Sequence, residues 1–245
     1  MNRLPQFRSD DDEFQQAIQV VDAPGPVRSR TPFPLAFPHR LFFPQHFEAR
    51  YQYPLLIWLH SDDSSEYELD EVAAAISMRN YIAVGLRGPQ ASRCGGRRFR
   101  WSLSAGDLSI AEECAIQAVR MAGDDLAVDE RRVFIGGFGT GGSVAQWIAL
   151  RNPQYFAGVA SINGGAPNLP KLLVRWREAQ RLPVLFCYGR DSRVCDADAV
   201  VDTIRLVHRS GLSYQFNQFN CGDELDGAMT SLMNHFMLQA TVQSR

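Results

Sequence analysis

Six short apolar runs punctuate the chain: "PLLIWLH" (54–60), "YIAVGLR" (81–87), "RVFIGGF" (132–138), "FAGVASIN" (156–163), "PVLFCYG" (183–189) and "SYQFNQF" (213–219). Runs of this length, separated by turn residues, predict strands. Upstream of them "HRLFFPQHFE" reads as an early edge strand. The intervening segments repeat apolar residues at helical spacing: "SEYELDEVAAAISMRN", "GDLSIAEECAIQAVRMAG", "GSVAQWIALRN", "PNLPKLLVRWREAQR" and "DADAVVDTIRLVHRSG". A last helix is expected from about Leu225 to Gln239. In the second segment Leu108, Ala111, Ala115 and Val119 fall on one face. Strands that alternate with helices predict an α/β fold, with a mainly parallel sheet covered by helices on both faces. The unbroken apolar "LLIWL" agrees, because a central strand is buried on both sides. No internal repeat or low-complexity tract interrupts this alternation.

Residues 1–31 break the pattern. They are polar and acidic with little periodicity, and predict a flexible N-terminal arm ahead of one domain over 32–245. Of the 13 prolines, six fall between Pro24 and Pro44, so this stretch is expected to be extended. A chain of 245 residues with 45% hydrophobic content can build one sizeable core. A net charge of −2 offers no general attraction to nucleic acid or to an anionic membrane. No apolar segment approaches the ~20 residues of a membrane span. "MNRLPQFRSDDDEFQQ" is charged where a signal peptide would be apolar, and a cytoplasmic location is expected. Five cysteines, at 94, 114, 187, 195 and 221, form no C-x-x-C pair and no zinc-ligand spacing. They read as reduced thiols, most of them buried, and neither metal nor cofactor is expected.

The chemistry turns on "VFIGGFGTGGSVAQW" (133–147), a strand, a glycine turn and a helix. Hydrolases that place a nucleophilic serine at such a corner use G-x-S-x-G, where small neighbours make room for a crowded backbone. The helix that follows directs its N-terminus at the developing oxyanion. Here Gly137, Phe138, Gly139, Thr140, Gly141 and Gly142 fill the pattern, with Gly139 at the apex. A dinucleotide-binding reading fits less well: the glycines follow a late strand, and no acidic strand end lies about twenty residues on.

The stretch "RRVFIGGFGTGGSVAQWIALRNPQYFAGVASINGGAP" resembles the phospholipase/carboxylesterase family of α/β-hydrolases, whose elbow reads G-F-S-x-G-G. The order of strands and loops extends the resemblance over roughly 40–240. It implies a doubly wound sheet and hydrolysis of carboxylic esters by a Ser-Asp-His triad. The triad does not transfer. Gly139 stands for the serine, and the aspartate position is Ser192, with Asp191 one residue early. The histidine turn reads "FNCGDELDG", with Asp223 or Glu224 in the histidine's place. The oxyanion loop, usually "HG", reads His60-Ser61-Asp62-Asp63, whose carboxylates would oppose an oxyanion.

No triad member is therefore intact, and Gly139, Asp191, Ser192, Asp223 and Glu224 are vestigial positions. The expectation is a non-catalytic binding or scaffold protein on a hydrolase fold. The alternative is an active carboxylic-ester hydrolase with an unrecognised nucleophile, for which Thr140, Ser143 and Cys221 are the candidates. Asp191 and Asp223 could form a paired-carboxylate site, or simply cap helices or meet arginines. Residues placed to bind a ligand are His60, Ser61, Arg97, Arg98, Trp101, Thr140 and Gly141. Together with Arg93 and Arg100 they suggest a small anionic or carboxylate ligand at the helix N-terminus. The plainer alternative is that these arginines are solvated, or neutralise Asp62, Asp63, Asp223 and Glu224 and so close the site. Oligomeric state is not legible in these patterns.

Overall fold

The computed structural model describes residues 37–165, 175–195 and 197–243. The N-terminal arm of 1–31 lies outside the described residues, as does most of the expected helix over 167–181. The strands are β1 (His39–Phe42), β2 (Tyr53–Leu59), β3 (Ile82–Leu86), β4 (Gln90–Ala91), β5 (Phe99–Arg100), β6 (Val128–Phe138), β7 (Gly158–Ile162), β8 (Val184–Gly189) and β9 (Tyr214–Phe219). The helices are α1 (Glu68–Ile76), α2 (Ala105–Asp125), α3 (Thr140–Arg151), α4 (Trp176–Ala179), α5 (Ala197–Ser210) and α6 (Gly227–Gln243). All belong to one unit, Leu35–Arg245.

Seven strands form one sheet in the order β1-β3-β2-β6-β7-β8-β9. β1 runs antiparallel to β3, and the other pairings are parallel. Every residue of β2 is buried, as a continuous apolar run at the centre of a two-faced sheet requires. On one face Leu56 and Trp58 of β2, Phe134 and Phe138 of β6 and Leu185 of β8 pack against α1 and α6. On the other, Phe186 packs with Cys195 and Val200 beside Tyr214 and Phe216. α2 buries Leu108, Ala111, Ala115 and Val119, the face its spacing predicts. Its N-terminus is set by Ser104, whose hydroxyl accepts from the Asp107 N–H at 3.2 Å.

Two elements differ from the sequence reading. β6 begins at Val128, four residues early, because Asp129 draws in Arg131 and Arg132 and lets a polar stretch join the sheet. The register to β2 shifts between Tyr53 and Leu55 to accommodate it. The stretch carrying Arg93, Arg97 and Arg98 is a small hairpin of β4 and β5. Its turn contains Gly95 and Gly96 at φ +74° and +73°. Two-residue strands are too short to register as periodicity.

Candidate functional site

β6 leads into α3 through Gly139, at φ +56° and ψ −126°. That is a region nearly closed to residues with a side chain. α3 is buried from Gly141 to Leu150, so the corner cannot relax outward. A Cβ on Gly141 would collide with the carbonyl oxygens of Leu59 and His60, which holds the helix start against the end of β2. The backbone of a nucleophile elbow is therefore present, and its apex bears no reactive group.

The space above the apex is taken. A Cβ built on Gly139 would stand 3.2 Å from Cγ1 of Val194 and 3.7 Å from Oδ2 of Asp62. The same Asp62 oxygen accepts from the Thr140 hydroxyl at 2.6 Å. A carboxylate thus sits at the first turn of α3, where the exposed N–H groups of a helix start favour negative charge. Asp63 accepts from the Ser92 hydroxyl of the hairpin.

Two of the residues that the sequence singles out face each other: Ser192 Oγ–H donates to Asp223 at 2.5 Å. Asp223 also accepts from the Arg193 N–H at 3.0 Å and the Val194 N–H at 3.4 Å. Burial acts to raise the Asp223 pKa, but these donors outweigh it and hold the carboxyl below the usual aspartate value. Asp223 thereby fixes the loop that carries Val194 over Gly139. Glu224 accepts from the Gly222 N–H at 3.1 Å, closing its own turn. Asp191 meets that turn through its backbone, whose N–H donates to the Cys221 carbonyl at 3.0 Å.

Several expected ligand-binding residues belong to the framework instead. His60 has no exposed surface. Gly88 N–H donates to its Nε2 at 2.9 Å, which assigns the proton to Nδ1, 2.7 Å from the Ser61 carbonyl. Burial lowers its pKa, so it is a neutral imidazole with both nitrogens committed. Trp101 is buried as well, its indole N–H donating to the His60 carbonyl at 3.0 Å. Ser61 gives its N–H and its hydroxyl to Glu68, which also receives the Trp58 indole N–H at 3.0 Å. Gly141 is spent on close packing. Thr140 reaches the surface but is engaged by Asp62.

Arg97 and Arg98 are exposed on the hairpin. Among the described residues no ion pair joins any arginine of 93–100 to Asp62, Asp63, Asp223 or Glu224. Of the two plainer alternatives, the exposed arginines fit solvation and not neutralisation, since those acids are satisfied by hydroxyls and backbone N–H groups instead. Of the candidate nucleophiles, Ser143 is buried within α3. Cys221 is buried too, and its pKa is raised by that burial and then by Glu224, Asp226, Asp191 and Asp223, which keeps it a thiol.

The sequence reading missed Asn163. It is wholly buried at φ +51°, just beyond β7. Its Oδ1 accepts from the Gly189 N–H at 2.7 Å, and its Nδ2 donates to the Gly222 carbonyl at 3.1 Å. One side chain thus spaces the loop after β8 from the turn after β9. Its signal in the sequence was faint: an asparagine before two glycines at a strand end, a residue tolerant of positive φ.

A doubly wound parallel sheet with a strand-turn-helix elbow after its central strand defines the α/β-hydrolase fold. The chain belongs to the phospholipase/carboxylesterase family, whose model matches residues 111–240. It is similar to the protein named "Putative esterase NocK" of Nocardia uniformis subsp. tsuyamanensis, with 30% identity over 142 residues, 56% of this chain and 39% of the relative. The chain therefore spans about two fifths of that relative's length. Among solved structures it is similar to a carboxylesterase from Mesorhizobium loti, at 17% identity and TM-score 0.68, over 83% of this chain and 95% of that one. The acyl-protein thioesterase 2 of Zea mays gives 15% identity and TM-score 0.65, over 83% and 99%. At such identities the structures attest the fold alone.

Proposed function

We propose that this chain is a non-catalytic member of its family, a binding or scaffold protein that keeps the elbow and has lost the triad. The observation that carries the reading is the apex itself. Gly139 supplies no nucleophile, and Asp62 and Val194 stand where a serine hydroxyl and its substrate would meet. Three further facts support it. The histidine position holds Asp223, whose carboxylate is engaged by Ser192, Arg193 and Val194 and, with its pKa lowered, is a far weaker base than an imidazole. His60 is buried and neutral, with both nitrogens engaged. A carboxylate at the oxyanion site would repel the charge that ester hydrolysis develops. Losing nucleophile and base together removes most of what a triad contributes, since its members act as a unit.

The test is intact-mass analysis after treatment with a fluorophosphonate, a reagent that modifies activated serine, threonine or cysteine nucleophiles. The unmodified mass is expected. A stoichiometric adduct would overturn the reading and, once mapped, identify the nucleophile.

A small anionic or carboxylate ligand is a narrower form of the same proposal, supported by the exposed Arg97 and Arg98 of the hairpin, whose Ser92 bonds Asp63, the neighbour of the Asp62 that meets Thr140. Such a ligand would have to displace Asp62 from Thr140. Phosphate or small carboxylates at millimolar concentration should then raise the melting temperature, and Arg97→Ala with Arg98→Ala should abolish the rise. An unchanged melting temperature would leave Asp62 as the only anion at that helix. The proposal also places the chain in a reducing, cytoplasmic setting. In its favour, none of the five cysteines is in a disulfide, and no described helix is long and apolar enough to cross a membrane.

A further inference from the structure

The outer edge of the sheet carries two features unrelated to the elbow. β9 pairs only with β8 in the sheet, so it is an edge strand. Its register to β8 runs from Val184↔Tyr214 to Gly189↔Phe219 without a bulge, and "SYQFNQF" contains no charge and no proline. Edge strands in natural proteins are normally blunted by such devices, because their outward N–H and C=O groups recruit other strands. β9 has none of them.

The second feature is α5. Val200, Thr203 and Val207 face the sheet and are buried. The flank with Leu206 and Ser210 is half-buried, and Gln180, just after α4, donates its side-chain N–H to the Ser210 carbonyl at 3.0 Å. α4 in turn packs against α3, over the middle of the sheet. At 3.6 residues per turn the opposite flank consists of Ala197, Val201, Ile204 and His208. These four residues, spaced by four, three and four, form the seam of a two-helix contact. All four are exposed, Val201 by 41% and Ile204 by 45%. The seam is open to solvent, on the flank away from Leu206 and Ser210.

The charges beside the seam indicate what covers it. Asp198, Asp202, Arg205 and Arg209 are exposed and follow the same spacing, acidic in the first half of α5 and basic in the second. A helix with this order complements itself when reversed. An antiparallel copy sets acid against base along the whole length, whereas a parallel copy sets like against like.

We propose that this edge is a homodimer interface, with α5 packed antiparallel on α5 of a second copy of the chain about a twofold axis. Val201 then meets the partner's Ile204, Ala197 meets the partner's His208, and Asp198 lies beside the partner's Arg205. The same axis sets the two β9 edges antiparallel, as an isologous contact requires. The inference is independent of whether the elbow is catalytic.

Sedimentation velocity of the full chain across the micromolar range tests it. A dimer in reversible exchange with monomer is expected. Ile204→Glu alters an exposed side chain, so circular dichroism should be unchanged while the dimer weakens by about tenfold or more. Arg205→Glu should weaken it as well, and adding Asp198→Arg should restore it, a rescue that a purely local effect would not produce. In a Cys94→Ser background, Ala197→Cys with His208→Cys should give an interchain disulfide under mild oxidation. The two sites are roughly 16 Å apart on their own helix, too far to join within one chain. A chain that is monomeric throughout, a dimer indifferent to Ile204→Glu, or the lack of a cross-link would each overturn the proposal. So would Ile204-dependent capture of a different protein by a monomeric chain.

Discussion

The elbow and the two loops that face it have been treated differently. From Gly137 to Gly142 the backbone keeps the geometry of a hydrolase corner, down to a residue at φ +56° in the apex position. Loops 190–194 and 221–224 depart from the expected pattern instead, with Ser192 and Asp223 where the sequence resemblance implies an acid and a histidine. The difference has a physical cause. The elbow is enclosed by main chain, with Gly141 pressed on the Leu59 and His60 carbonyls and Gly139 N–H donating to the Ile162 carbonyl at 2.8 Å. The loops are exposed, and there a Ser–Asp hydrogen bond holds them together as an Asp–His pair would. Fold-determining geometry and reaction chemistry thus occupy neighbouring residues under separate constraints.

The sharpest way to break this contrast is Gly141→Ala. The added methyl would meet backbone rather than a movable side chain, so a loss of about 3 kcal/mol or more is expected in chemical denaturation. A change under 1 kcal/mol would mean that the elbow is not rigid.

Gly139→Ser comes next. Restoring the family's residue also restores its backbone strain, and the side chain meets Val194 and Asp62. A loss of roughly 1–3 kcal/mol is expected, with no gain in ester hydrolysis because no base is present. A variant that hydrolyses esters and melts no lower would show that the loops still carry chemistry.

Thr140→Val removes the donor to Asp62 from a partly exposed pair, and about 1 kcal/mol of stability should be lost. Asp62→Asn should have a smaller effect, since an amide oxygen can still accept. A larger loss in Asp62→Asn than in Thr140→Val would locate the contribution in charge at the helix start rather than in the hydrogen bond.

The smallest effect expected is that of Asp223. Its folded pKa lies below its unfolded value, so its contribution is complete above about pH 4 and disappears as pH falls through the lower, folded value. Because the carboxylate is exposed, screening keeps this to about 1 kcal/mol or less. Asp223→Asn should flatten the acid limb of the stability curve by removing that contribution at neutral pH while leaving stability at low pH nearly unchanged. An acid limb identical in the variant would assign the pH dependence elsewhere.

Much of this was legible in sequence because it follows from periodicity. Six apolar runs became β2, β3 and β6 to β9, and Leu108, Ala111, Ala115 and Val119 line the buried face of α2. The G-F-G-T-G-G run placed the elbow. What periodicity does not encode was missed or misassigned. Asp129 recruits charged residues into β6 by ion pairs that no hydropathy pattern reveals. His60 and Trp101 read as pocket residues from their place in the chain. The hydrogen bonds of His60 to Gly88 and of Trp101 to the His60 carbonyl are long-range, and sequence pattern does not reveal them. The coupling of Ser192 to Asp223 and the bridging by Asn163 likewise join residues far apart in sequence. The self-complementary order of charges along α5 was visible, but its meaning depended on knowing which flank faces outward.

The measurement that bears most directly on the central claim is a stopped-flow acylation experiment with an activated aryl ester on the wild-type chain. The account predicts no burst of phenolate and no steady-state turnover above buffer. A burst approaching one equivalent per chain, with the acyl group mapped to Thr140, Ser143 or Cys221, would contradict it.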